Sequence, residues 1–423
     1  MTIFQKLSNL DFVPILWDSF DLKKMFNFSK KIMIKNNIKN DIKTKFEAVF
    51  QEKSQLMVKS SGRINLIGEH TDYNGGFVLP AAIDKGIYFA FSKRNDKECH
   101  FFAYDLNESF TTNLDDLQKT ETASWANYLM GVLDEIKKAL PNADFQGVNV
   151  VFGADLPSGG GLSSSAAIEN AMGFGLNTLY DLGLSRLELV SISQRAENNF
   201  VGMKCGIMDM FASMMGLENQ FIRIDCRDLS YEYFPFDAPD LRLVLCDTTV
   251  KHALVDSEYN TRRAECEEGV SVLQKFYPEI KILRDVAFEV LKKHKNEFRP
   301  VVFQRCKYVI EEIERVELAC EALQNQDFAK VGKLMYATHE GLSKEYEVSC
   351  PELDFLADFA KKNPSVLGAR MMGGGFGGCT INLIKADAID DFIVTAKAAY
   401  LQKYQKEMLY YVTKPSNGTL QIN

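Results

Sequence analysis

Histidine is scarce in this 423-residue chain, with five residues, and none is paired at zinc-ligand spacing, which argues against a zinc site. The nine cysteines include no Cys-x-x-Cys pair. Their odd number and wide scatter fit reduced thiols in a cytosolic protein, not a disulfide framework. No apolar run reaches the length needed to span a membrane. Basic excess is also missing: 49 Lys and Arg against 57 Asp and Glu give a net charge of -8, which speaks against a nucleic-acid binder. There is no Gly-x-x-x-x-Gly-Lys-Ser/Thr loop and no Gly-x-Ser-x-Gly elbow, so neither a Walker A nucleotide site nor a serine-hydrolase turn is present. The one Gly-x-Gly-x-x-Gly match, Gly373 to Gly378, precedes a strand pattern instead of a helix, unlike a dinucleotide fingerprint. The chain carries no internal repeat and no low-complexity tract. Any phosphate binding must therefore come from local geometry and not from a basic surface.

What is present is an ordinary globular composition, 46% hydrophobic and 25% charged, long enough for two domains with substantial cores. Strand patterns are expected at Gln55–Lys59, Gly86–Ser92, Val148–Phe152, Leu241–Asp247 and Cys379–Ile384. Helical spacing is expected over Asp41–Glu52, Ser124–Leu140, Leu187–Asn198, Glu258–Tyr277 and Val302–Ala329, with another helix closing at Ala360–Asn363. Strands and helices do not strictly alternate, which favours an α+β fold over a doubly wound sheet. Residues Met1–Lys39 begin apolar and turn basic, the reverse of a secretory signal. An amphipathic surface helix is one reading. A non-native upstream extension, outside the fold, is the preferred one.

The most informative stretch is Ser158–Ala167, Ser-Gly-Gly-Gly-Leu-Ser-Ser-Ser-Ala-Ala. It lies between a strand pattern with Pro157 and the helical run from Ala166. Glycines let backbone N–H groups approach an anion, and the helix N-terminus adds unpaired donors and a positive dipole end. Together they make a phosphate cradle, to which serine hydroxyls add ligands for phosphate or magnesium. A plain flexible loop is the bland alternative. Arg63 to Gly76 packs Arg63, Glu69, His70 and Asp72 around glycines, a density of donors and acceptors suited to a polyol. Asp209 stands in the apolar stretch Ile207–Phe211, as a general-base candidate or a helix cap. Glu197, on a polar helix face, is a magnesium-ligand candidate.

These segments carry a resemblance. Gly62–Tyr73 resembles the galactokinase signature. Pro157–Ala167 and Gly373–Cys379 resemble the second and third motifs of the GHMP small-molecule kinases. Ser257–Arg263 and Glu345–Asp354 are similar to further galactokinase segments. The likeness runs from about Lys43 to the C-terminus. It implies two α+β domains, 41–238 of the ribosomal-S5 domain-2 type and 239–423, with the active site between them and residues 1–40 outside the fold. It further implies transfer of phosphate from ATP to the anomeric C1 hydroxyl of galactose. By resemblance, Asp209 is the base, and Arg63 lies beside it and stabilises charge on the moving phosphoryl group. Glu69, His70, Thr71, Asp72, Gly206 and Tyr259 hold the sugar. Gly159, Gly160, Gly161, Leu162, Ser163, Ser164 and Ser165 wrap the ATP phosphates, and Ser165 with Glu197 holds magnesium. Met372 departs from the family, which more often has threonine there. A cytoplasmic monomer is expected, without nucleic-acid or membrane partners. An N-acetylgalactosamine or arabinose kinase of the same family and a non-catalytic galactose sensor remain as alternatives, although the complete Ser163–Ala167 segment argues for catalysis.

Overall fold

The computed structural model describes residues 37–156, 161–203, 205–250 and 255–422. The reading of residues 1–40 as an appended segment lies outside them, except at its last four residues. From Ile38 onward the chain forms one compact unit. Helix α1 opens at Ile38, ahead of the expected Asp41, and runs to Phe50. The extra turn forms because Ile38 is buried together with Ile42 and Phe46.

The first half builds a six-stranded sheet from β1 (Leu56–Asn65), β3 (Pro80–Lys93), β4 (Glu98–Ala103), β5 (Glu108–Asn113), β6 (Val148–Ala154) and β13 (Leu420–Gln421), while β2 (Phe77–Val78) belongs to another sheet. The strand order is β13-β1-β3-β6-β4-β5. All neighbours are antiparallel except β4 and β6. Side-chain alternation divides its two faces. Met57, Ala90, Phe102 and Val151 pack on α1. Their chain neighbours Val58, Phe89, Phe91, Phe101 and Val150 join the main core, with helices α2 (Ala126–Ala139) and α3 (Ser164–Tyr180). Helix α4 (Arg186–Arg195) begins with a capping box, in which Ser185 and Glu188 satisfy each other's backbone N–H groups. Helix α5 (Met208–Met215) comes next. Strands β7 (Gln220–Asp225) and β8 (Tyr231–Pro235) join β2 in a small sheet of order β2-β7-β8.

In the second half, β9 (Leu241–Asp247), β10 (Val366–Met371), β11 (Cys379–Lys385) and β12 (Leu409–Thr413) form a sheet of order β10-β11-β9-β12. Helices α6 (Val255–Gln274), α7 (Phe288–Lys293), α8 (Pro300–Gln324), α9 (Phe328–Glu340), α10 (Pro351–Lys361) and α11 (Ile389–Tyr404) complete it. Val244, Cys246 and Ile384 pack under α10 and α11. Leu243, Leu245, Ile381 and Leu383 face the main core shared with the first half. The chain then returns, and β13 pairs with β1 through Val58 and Lys59. The expected helical zone Val302–Ala329 ends earlier, at Gln324, and a new helix starts after Asp327, whose side chain accepts from the Lys330 N–H.

Candidate active site

Strand β1 delivers the first group. Its register against β3 shifts between Ser61 and Arg63, a bulge of the kind that re-aims a side chain. Gly62 is needed there, because a Cβ would lie 2.5 Å from Leu156 Cδ1 and 2.9 Å from the Leu162 carbonyl. The redirected Arg63 clamps Asp209 with both edges of its fork: Nε donates to Oδ1 at 2.7 Å and Nη2 to Oδ2 at 2.9 Å. Its Nη1 donates to the Gly161 carbonyl. The arginine side chain is 7% exposed and the aspartate 30%, so the cation sits behind a carboxylate that meets solvent. Burial works against the Arg63 charge, but Asp209 outweighs it and the guanidinium is held more firmly protonated than usual.

The glycine-serine segment approaches the same carboxylate. Gly159 and Gly160 lie outside the described residues. Gly161 is exposed, Leu162 is buried, and Ser163 takes left-handed backbone angles, φ 57° and ψ 56°, at the N-cap of α3. A left-handed serine costs about 1–2 kcal/mol, and strain of this kind persists only where surroundings over-determine it. Here the Ser163 hydroxyl makes no cap; it donates to Asp209 Oδ2. Ser164 is exposed at the first turn of α3 and Ser165 half-buried.

Ser165 faces Glu197, whose ionised form it favours against a burial that raises the carboxyl pKa. The expected helix Leu187–Asn198 in fact gives way to a π-helical turn, Ala196–Val201, and such a turn is common at functional sites. It carries Glu197, which is 5% exposed and accepts from Cys205 Sγ at 3.3 Å. One turn along α3 from Ser165, Glu169 is fully buried with no partner for either carboxylate oxygen. Burial, and then Glu197, push its pKa well up. No group of three His, Cys, Asp or Glu able to hold a metal by themselves occurs among the described residues.

The Glu69–Asp72 loop forms the other wall. Asp72 has its carboxyl pushed up to about 6, first by burial and then by the charges of Asp209 and Glu69. A Cβ at Gly206 would lie 2.1 Å from Asp72 Oδ2; only glycine lets that carboxylate occupy its position. His70 has left-handed φ of 64° and its Nδ1 lies 2.8 Å from Tyr73 Oη. Burial lowers its pKa to about 4, so the ring is neutral at pH 7. Its ring contacts Tyr73, Tyr259 and Tyr346. Tyr259, on α6, is half-buried and its hydroxyl is pushed up by burial and by the charges of Asp72, Asp209 and Glu69. Thr71 has a different job from its neighbours. It is fully buried and its hydroxyl bonds the Gly68 and Phe77 carbonyls, so it braces the loop instead of facing the cleft.

Comparison with known proteins decides the family. Residues 44–93 match the model of the galactokinase galactose-binding signature. Residues 127–217 and 319–400 match the GHMP kinase N-terminal and C-terminal domains. The galactokinase of Clostridium acetobutylicum is 39% identical over 393 residues, covering 92% of this chain and 100% of that protein. That of Chloroflexus aurantiacus is 41% identical over 356 residues, 84% of this chain and 90% of its own. The chain belongs to the galactokinase family.

Solved structures agree with that membership. Lactococcus lactis galactokinase complexed with galactose superposes with a TM-score of 0.86 at 34% identity, over 90% of this chain and 99% of the other. Methanococcus jannaschii mevalonate kinase, at 19% identity, covers 86% of this chain and 99% of its own with a TM-score of 0.61, and shares the GHMP fold.

Residues from the second half of this galactokinase-family chain also hold the site, among them Glu312 and Tyr308, which sequence reading missed. Glu312 on α8 accepts from the Gly68 N–H at 2.8 Å. The hydroxyl of Tyr308 donates to the Glu69 carbonyl at 3.1 Å. Tyr346 meets Tyr73 hydroxyl to hydroxyl at 2.8 Å. The third glycine segment sits against this loop: the Gly373 N–H donates to Glu69 Oε1 at 2.9 Å. Met372 is 4% exposed within the main core, so the side chain that replaces the family's usual threonine packs inward.

Proposed function

We propose that this protein transfers the γ-phosphoryl group of ATP to the C1 hydroxyl of galactose, giving galactose 1-phosphate and ADP, with Asp209 as the base. The observation that carries the reading is the convergence on one carboxylate of a forked arginine, a serine from the phosphate loop and open solvent. Phosphoryl transfer depends on positioning and charge stabilisation more than on covalent help. Asp209 receives the hydroxyl proton as the sugar oxygen attacks phosphorus. Arg63, packed behind, fixes the carboxylate's orientation and adds positive charge close to the transferring group. Glu69, Asp72, His70 and Tyr259, with Gly206 making room for Asp72, form the sugar wall. The segment Gly159–Ser165 cradles the phosphates.

Ser165 and Glu197 would hold magnesium. Glu197 is buried beside the orphaned oxygens of Glu169, and among the described residues no cationic side chain is one of the groups that shift its pKa. Magnesium is commonly bound by one or two carboxylates together with substrate phosphates, which fits a pair in place of a full cage. When bound, the ion would supply positive charge against the phosphate oxygens.

The two-domain division at 238/239 belongs to the same reading; the matches to the N- and C-terminal GHMP models lie on either side of it. Nine free cysteines support a cytoplasmic setting, and a monomer is the expected state in size-exclusion chromatography with light scattering. Among the described residues no helix is long and apolar enough to cross a membrane.

The decisive experiment is ADP release with magnesium-ATP and galactose, N-acetylgalactosamine, arabinose or glucose. Galactose-selective release is expected. Selectivity for another sugar would overturn the substrate, and absence of release from a folded, galactose-binding protein would overturn the kinase assignment.

A further inference from the structure

Arg370 is the largest fully buried side chain among the described residues, with none of its surface exposed. It stands on β10, three residues before Gly373, where the third glycine segment begins. A buried guanidinium is costly unless its donors are satisfied. Four are directed at named acceptors. Nε donates to the Leu66 carbonyl at 2.8 Å, and Nη1 to the Met371 carbonyl at 2.6 Å. Nη2 donates to the Asn65 carbonyl at 2.5 Å and to Glu69 Oε1 at 3.0 Å. The contacts to Asn65, Leu66 and Glu69 span 301 to 305 positions of sequence and tie the end of β1 to the end of β10.

The consequence concerns Glu69. Its Oε1 accepts from both Arg370 and the Gly373 N–H, which uses the two lone pairs of that oxygen. Oε2 makes no protein hydrogen bond among the described residues and is left as the acceptor for a ligand hydroxyl. With its carboxylate plane fixed from behind, Glu69 presents Oε2 in one direction. A lysine could supply charge at this point, but not a planar fork that reaches three carbonyls and a carboxylate together.

We propose that Arg370 is a positioning residue of the sugar site, setting the direction of Glu69 and the seat of Gly373 against it, and so governing affinity for the sugar more than for the nucleotide. This rests on the assignment of Glu69 to the sugar wall. It requires no contact between Arg370 and substrate.

The test uses the full chain and Arg370→Lys, with Arg370→Met beside it, each checked for folding by circular dichroism. Galactose binding without nucleotide is measured by calorimetry, and KM values for galactose and ATP by ADP release. Arg370→Lys is expected to fold and to weaken galactose binding roughly 10- to 100-fold, as for loss of a charge-assisted contact. KM for galactose should rise by a similar factor, with KM for ATP within about threefold of the parent, the range left to a site whose own contacts are intact. Adding Glu69→Gln to Arg370→Lys should cost little more than Glu69→Gln alone, because both act through one carboxylate. Unchanged galactose affinity in a folded Arg370→Lys protein, or equal rises in both KM values, would overturn the proposal. An unmodified protein that binds no galactose would instead overturn the sugar-site reading, so the two failures are separable.

Discussion

Replacing Asp72 by asparagine should stabilise the protein at alkaline pH while weakening its grip on the sugar. Asp72 lies beside two other carboxylates, Asp209 and Glu69, in a site that burial dries, and its pKa rises from 3.8 to about 6. A carboxyl whose folded pKa is raised favours the folded state in its protonated form. That contribution is complete below pH 3.8 and is lost as pH rises through 6. A rise of that size corresponds to about 3 kcal/mol, an upper bound because Asp72 keeps some contact with solvent. Asparagine is close to an isostere of the protonated acid and never ionises. The ligand-free variant should therefore exceed the parent by up to about 3 kcal/mol at pH 8, about half of that at pH 5, and almost nothing below pH 4. For a folded unit of this size the gain at pH 8 is about 4 °C in Tm, within reach of scanning fluorimetry across a pH series. Galactose KM should rise roughly 10- to 100-fold at pH 8, the value of a hydrogen bond to a charged acceptor. A Tm difference independent of pH, or a variant less stable than the parent at pH 8, would refute the reasoning. It would mean that Arg63 compensates the Asp72 charge in full.

Asp209→Asn should fold, bind galactose by calorimetry and lose roughly 10²- to 10⁴-fold in kcat; near-normal turnover would remove Asp209 as the base. His70, with its pKa lowered to about 4 by burial, should show no imidazole titration by NMR between pH 7.5 and 5.5, and the stability it contributes should be lost only as pH falls below 6.5 and through 4. A resonance removed by His70→Gln that titrates near 6.5 would contradict this. Gly206→Ala introduces a methyl 2.1 Å from Asp72 Oδ2; it should raise galactose KM about tenfold or more by displacing a charge-assisted contact, and an unchanged KM would show that Asp72 moves aside freely.

Much of this was legible in the sequence wherever the signal is local. The order strand, glycines, serines, helix marked Ser158 to Ala167 as a candidate cradle, and the density of Arg63, Glu69, His70 and Asp72 marked a candidate polyol wall. Periodicity found β9 to the residue, since Leu241–Asp247 is a buried run with sharp ends. It erred where phase changes within an element. The π-helical turn at Ala196–Val201 adds one residue to a turn and rotates the residues after it, which a 3.6-residue pattern cannot register before the helix ends. The Arg63–Asp209 clamp spans 146 positions, and family resemblance supplied it; spacing did not. Nothing local marks Arg370 as buried or Glu312 as the acceptor for Gly68, because their partners lie 301 and 244 positions away.

The placement of charge explains how an acidic chain can handle a polyanion. Glu69, Asp72, Asp209, Glu169 and Glu197 all lie at or behind the site, whereas the two guanidinium groups set against these carboxylates are committed: Arg63 to Asp209 and Arg370 to Glu69. Neither arginine stands as an unpaired cation waiting for phosphate. A neutral sugar suits the carboxylate wall, because each hydroxyl donates to an acceptor without adding charge. A polyphosphate does not, unless backbone N–H groups and a cation carried with it meet its charge. On the proposed reading the glycine-rich approach to α3 supplies the first, and the buried Glu197 beside Ser165 is suited to the second. On that same reading, the carboxylates of the sugar wall make the phosphate end depend on the cradle, and Arg63, bonded both to Asp209 and to the Gly161 carbonyl, is the side chain through which a shift in the cradle would reach the proposed base.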